Sequence, residues 1–216
     1  MRALCASAIW LALPCPAASP EAAPPAPDAK ALVASLARVA PARTAYTEVR
    51  FSSLLERPLI LRGELEYLGP GKLGKRVDTP YREQTRIADG EATVQRGERA
   101  PRTFSLGQAP ELEGFLRGFV ALLGGDAAAL ARDFDLSSSV TANGWQLRLK
   151  PRDSRLARRI LAVEVDGAGN APRCFLTRDA DGDVSVLLVD ALAGVKLPSR
   201  PSQAQIDALC RGPGTP

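Results

Sequence analysis

The side chains that could do chemistry are few, and one is missing altogether: the 216 residues contain no histidine. Without imidazole there is no Ser-His-Asp or Cys-His nucleophile and none of the usual catalytic zinc sites, because each needs a base or ligand that titrates near neutrality. Carboxylates remain. Glu64 and Glu66 share a strand face, as do Glu48 and Arg50. Paired carboxylates can hydrolyse glycosides, but on the solvent side of a strand they are solubilising charge. Asp179-Ala180-Asp181-Gly182-Asp183 alternates like the start of a calcium loop, with Asp190 at the twelfth position. Val184 stands where such a loop needs glycine and strands flank it, so a hairpin turn is expected. The run Arg152 to Arg159 could meet anionic head groups or form a solvated edge that deters aggregation. There is no G-x-S-x-G, no glycine-rich phosphate loop and no metal-spaced cluster. The expectation is a non-enzyme that holds neither cofactor nor metal.

The elements that must position these residues begin after residue 28. Met1 to Ser19 carries Arg2, an apolar run from Ala3 to Leu13 and small residues at Ala17 to Ser19, the layout of a secretory signal peptide. Cys15 raises the alternative of a lipidated N-terminus, which Pro14 fits poorly. Residues 20–28 form a Pro/Ala-rich tether, and 29–216 a single domain. Cys174 and Cys210 are then the remaining cysteines. An exported compartment favours a bridge between them, with two buried thiols as the alternative. Hydrophobic residues make up 45% and charged residues 24%, with a net charge of +4 spread along the chain, so no nucleic-acid partner is expected.

Asp28 caps a first amphipathic helix whose stripe is Leu32, Val33, Leu36 and Val39, ending at Pro41. Thr44 to Leu55 alternates with Val49, Phe51 and Leu55 on one face. In the next strand Leu59, Leu61, Leu65 and Tyr67 face one way and Arg62, Glu64 and Glu66 the other. Turns follow at Gly69-Pro70-Gly71 and Asp89-Gly90. Leu112, Phe115, Leu116, Phe119, Leu122 and Leu123 have helical spacing and stop at Gly124-Gly125, with Gly114 and Gly118 inside the helix. Asp126 caps a short second helix, after which strands resume to Asp190. The class is α+β, mainly β. It is a single curved antiparallel sheet of about ten strands, a half-open barrel lidded by helices.

From Ala31 to Asp190 the chain resembles the LolA-type family of periplasmic lipoprotein carriers. The resemblance lies in the first helix, Tyr46-Thr47-Glu48-Val49-Arg50-Phe51, Gly63-Glu64-Leu65-Glu66-Tyr67, the turn at Gly69-Pro70 and the Asp89-Gly90 hairpin. It departs at Gly69, where such carriers usually have an arginine that holds the lid closed. The resemblance implies a monomeric periplasmic carrier of acyl chains, from a lipoprotein or another lipid. An inner-membrane donor would load it and an outer-membrane acceptor would relieve it. Val49, Phe51, Leu61, Leu65 and Tyr67 would line the cavity, and Leu112, Phe115, Leu116 and Phe119 the lid. Only 5% of residues are aromatic, little bulk to fill a wide sheet. The glycine-softened helix suits a moving lid, and a Leu/Val lining suits methylenes, each worth roughly 0.8 kcal/mol when buried. The alternative is an exported scaffold with the same fold and a filled core.

Overall fold

Capping and turn chemistry lay out the chain in the computed structural model, which describes residues 26–212. The expected signal peptide, the Cys15 alternative and most of the tether lie outside the described residues. The Asp28 carboxylate accepts from the Ala31 N–H at 2.8 Å and starts α1 (Ala29–Ser35). This helix is a turn shorter than its apolar stripe predicts, and Val39 is 90% exposed. The Arg38 N–H donates to the Leu123 carbonyl at 2.8 Å, which turns the chain out of the helix.

Two antiparallel meanders follow. The first is β1 (Ala42–Phe51), β2 (Leu59–Gly69), β3 (Lys72–Thr79), β4 (Glu83–Ala88), β5 (Glu91–Arg96) and β6 (Arg102–Ser105). The helical block is α2 (Pro110–Leu123) and α3 (Ala127–Asp133). The second meander is β7 (Phe134–Thr141), β8 (Gly144–Pro151), α4 (Ser154–Ala157), β9 (Ile160–Ala168), β10 (Ala171–Asp179) and β11 (Val184–Val189), and α5 (Gln203–Arg211) ends the domain. All eleven strands join one sheet in the order β6-β5-β4-β3-β2-β1-β11-β10-β9-β8-β7, the expected class with one strand more than the round count. β1 and β11 stitch the meanders together, which leaves β6 and β7 as edges. The chain between those two edges has to cross the curled sheet, and α2 and α3 make that crossing.

Two expectations change. β1 stops at Phe51, leaving Leu55 in a loop, 42% exposed. The arginine run is no edge strand: Asp153 accepts from the N–H groups of Arg155 and Leu156, both at 2.9 Å, and so nucleates the helical turn α4. That turn buries Leu156 and leaves Arg155, Arg158 and Arg159 exposed. The acidic stretch is the expected hairpin turn, joining β10 to β11 and closed by Asp179 N–H to the Asp183 carbonyl at 2.9 Å, while Asp190 lies beyond the far end of β11.

Apolar side chains form two cores, one on each side of the sheet. The inner core joins Tyr46, Leu61, Leu147 and Val165 to Leu32 and Val33 of α1 and to Leu122 and Leu130 of the helical block. The outer core is smaller. Val49, Leu176, Val186 and Leu188 meet Ile206 of α5, whose Ser202–Gln205 capping box fixes its start. Cys174 and Cys210 are bonded, with Cα atoms 5.5 Å apart, so the expected bridge holds α5 to the back of β10.

Candidate functional site

Alternation along each strand sends one set of side chains to the inner face, and α2 does not fill the space above them. A cavity of about 410 Å³ lies between α2 and strands from both meanders, within the usual range of roughly 300–1,000 Å³ for small-molecule sites. Leu65, Tyr67, Leu73 and Ile87 line it from the first meander, and Phe175, Leu187 and Val189 from the second. Leu112, Phe115, Leu116 and Phe119 line it from α2. The rings of Phe115 and Phe119 stack with centroids 6.5 Å apart, and Phe119 meets Phe175 edge-on at 5.6 Å. These three rings make a firm apolar roof and wall.

Six of the nine residues named from sequence therefore come together here: Leu65, Tyr67, Leu112, Phe115, Leu116 and Phe119. Leu61 is on the same face but is 1% exposed and packed into the inner core. Val49 and Phe51 are corrections. They point the other way, Val49 into the outer core and Phe51 against its edge. A period-two pattern says which residues share a face but not which face is inside. β1 is covered on both sides, so Val49 and Phe51 lie on the α5 side while the polar Glu48 and Arg50 look into the cavity.

That polar set is what sequence reasoning assigned to solvent. Glu48 pairs across the sheet with Leu61 and Leu187 and is 5% exposed. Its Oε1 accepts from Arg50 Nε at 2.7 Å and from Ser185 Oγ at 2.9 Å, and its Oε2 from Lys75 Nζ at 2.5 Å. Lys75 Nζ also lies 5.1 Å from the centre of the Tyr46 ring. That ring sits opposite Gly63, and its hydroxyl donates to the Arg76 carbonyl at 3.2 Å. A side chain at Gly63 is excluded, since a Cβ there would meet the Arg76 carbonyl oxygen at 1.8 Å. Burial pushes the Glu48 carboxyl up, but Lys75 and Arg50 outweigh it and hold the group below the usual carboxylate range. A signal for Lys75 was present in the sequence, a cation interrupting the apolar alternation of Leu73 and Val77. Glu64 and Glu66 alternate to the outer face, in ion pairs with Arg76 at 3.7 Å and Arg43 at 3.0 Å, although Glu66 also borders the cavity.

The glycines of α2 have a packing role. A Cβ on Gly118 would lie 2.2 Å from Phe134 Cε2, so this face of the helix presses onto the start of β7. Arg117 Nε donates to Asp133 Oδ2 at 2.8 Å alongside. α2 is anchored along its back while its aromatic face borders open volume.

A family model described as outer membrane lipoprotein carrier protein LolA-like matches residues 20–212. No curated protein matches the chain. Among solved structures, a LolA superfamily protein from Nitrosomonas europaea is 14% identical with a TM-score of 0.45, over 79% of this chain and 94% of that one. MucB is 17% identical with a TM-score of 0.39, over 84% of this chain and 62% of MucB, less than two thirds of its length. LprF from Mycobacterium bovis is 11% identical with a TM-score of 0.36, over 82% of this chain and 99% of that one. At these scores the structural likenesses carry no weight of their own. The family model spans nearly the whole domain, and on that match the chain belongs to the LolA-like family of outer membrane lipoprotein carrier proteins.

Proposed function

We propose that this protein is a non-enzymatic periplasmic carrier that holds the acyl chains of a lipoprotein or another lipid in the cavity beneath α2 and passes them towards the outer membrane. The observation that carries this reading is the unfilled, leucine- and phenylalanine-lined volume where a scaffold would have packed core. Methylenes entering it gain roughly 0.8 kcal/mol each without demanding a particular geometry, which suits cargo of varied chain structure. The way in is along the side facing β4 to β6, where Phe104 stands 40% exposed at the rim, because the back of α2 is tied to Asp133 and Phe134. A donor at the inner membrane and an acceptor at the outer membrane would load and unload it, the acceptor by binding the emptied form better.

The test is native mass spectrometry of the mature protein taken from its own periplasm, with organic extraction of whatever is bound. A co-purifying acylated species that is lost in Leu65→Asp and Phe119→Asp, both checked for folding by circular dichroism, establishes the carrier. A clean apo mass with no uptake of an apolar dye overturns it in favour of a scaffold.

A further inference from the structure

The cavity is largely apolar, and among its charged lining residues one cluster carries unbalanced charge, since the lining acids Asp190 and Glu66 are paired with Arg38 and Arg43. Lys75 and Arg50 both line it, with side chains 29% and 44% exposed against 6% for Glu48. Two cations share one buried carboxylate, which leaves a formal charge of +1. Among the described residues Glu48 is the hydrogen-bond partner of both. An ammonium has three donors and a guanidinium five, so most of their donors are left without a partner among the described residues. Asp179, at the end of β10, senses the field of Arg50, but only as the weakest of its influences. Thr85, Thr177 and Ser185 line the same volume and could complete a polar seat. The other lining ion pair, Arg38 with Asp190 at 3.3 Å, is balanced one to one.

We infer that the cavity selects its cargo by charge: an acyl chain lies along Leu65, Phe115, Phe119 and Leu187 while an anionic head group, carboxylate or phosphate, is held by Lys75 and Arg50. This rests on the carrier reading and narrows it to anionic amphiphiles. Glu48 has a definite part. It keeps both cations extended and hydrogen-bonded when the site is empty, which lowers the cost of holding them inside an apolar wall. The same carboxylate moderates affinity, so that the head group can leave. A neutral or cationic head finds no partner there and meets desolvated positive charge.

The experiment compares tetradecanoate, lysophosphatidate, tetradecanol and tetradecyltrimethylammonium by displacement of a fluorescent apolar probe from the purified mature protein. Acetate and inorganic phosphate serve as head groups without tails. In the wild type the two anionic amphiphiles bind at least about tenfold tighter than the alcohol, the effect of one charge-assisted hydrogen bond in a partly buried site. Glu48→Gln keeps the shape and removes the moderating charge, so the anionic amphiphiles tighten while the alcohol does not change. Lys75→Met has the opposite effect, weakening the anions and sparing the alcohol. Where Lys75→Met fails to fold because Glu48 has lost a partner, Glu48→Gln decides alone. Equal affinity for acid and alcohol, or an unchanged ratio in Glu48→Gln, overturns the charge selection and leaves the carrier standing. Acetate or phosphate binding as tightly as the tailed anions overturns the tail placement. No binding by any tailed ligand overturns the carrier reading and this inference with it.

Discussion

Gly114 and Gly118 are four residues apart in α2, and the structure gives substitution at the two positions opposite signs. Replacing glycine by alanine in a helix interior contributes about 1 kcal/mol through backbone entropy and propensity. At Gly114 nothing offsets this gain, since a Cβ would find its nearest neighbours at 3.8 Å, Arg117 Nη2, and 4.0 Å, Leu156 Cδ2. Both are ordinary contacts, so Gly114→Ala is expected to stabilise by about 1 kcal/mol. At Gly118 the same methyl would sit 2.2 Å from Phe134 Cε2, and Phe134 is 2% exposed with nowhere to retreat. Overpacking of this kind costs roughly 1–3 kcal/mol, so the net effect of Gly118→Ala is a loss of roughly 0–2 kcal/mol. In a domain of this size each kcal/mol moves Tm by roughly 2–4 °C. Calorimetric melting of the two variants should therefore separate them, Gly114→Ala above the wild type and Gly118→Ala at or below it, with urea unfolding at an unchanged m-value as the check. If Gly118→Ala stabilises as much as Gly114→Ala, α2 does not press on Phe134, and the picture of a back-anchored helix is wrong. A further reading comes from ligand uptake. A lid that works by glycine softness would bind probe more slowly in Gly114→Ala, whereas a helix anchored along its back leaves that rate unchanged.

Two further outcomes follow from the outer face and its acids. The Cys174–Cys210 bridge closes a loop with a sequence separation of 36, and the loop-entropy model gives such a bridge about 4 kcal/mol. The double variant Cys174→Ala/Cys210→Ala should lose about 2–4 kcal/mol in urea unfolding, and an unchanged midpoint would mean that α5 docks equally well without it. Burial pushes the Asp166 carboxyl above its ordinary value of 3.8, more than the hydrogen bond from Gln146 and the field of Arg211 bring it down. A carboxyl raised on folding lowers stability once the pH passes above its unfolded value, and has no effect below it. Asp166→Asn should therefore raise Tm at neutral pH, with the difference closing near about pH 3; a difference that persists in acid would assign the effect to packing instead.

Much of this molecule was legible in the chain because its signals are local. Asp28 and Asp126 cap the helices they precede, and the cap needs only an N–H within three residues. Asp89, at φ 53°, and Gly90, at φ 78°, adopt the left-handed backbone that their hairpin requires. The spacing of Leu112, Phe115, Leu116 and Phe119 fixed which face of α2 is apolar, and the structure turns that face to the cavity. Asp153 caps α4 inside a run whose arginines give it the look of a solvated edge, because its one carboxylate is hidden among their bulk charge.

What the sequence by itself determined was which side chains share a face, since period two and period 3.6 are properties of the backbone. Which of those faces became the interior was decided only in the tertiary structure. Glu48 turns inward because β1 pairs with β11 and brings it against Ser185, 137 residues later. Val49 turns outward into a second core that is completed by Ile206 of α5, a helix the Cys174–Cys210 bridge ties to the back of the sheet. A strand covered on both faces leaves no solvent side to be read from its polar residues. Its buried carboxylate persists because Lys75 and Arg50, from two different strands, arrive at the same place.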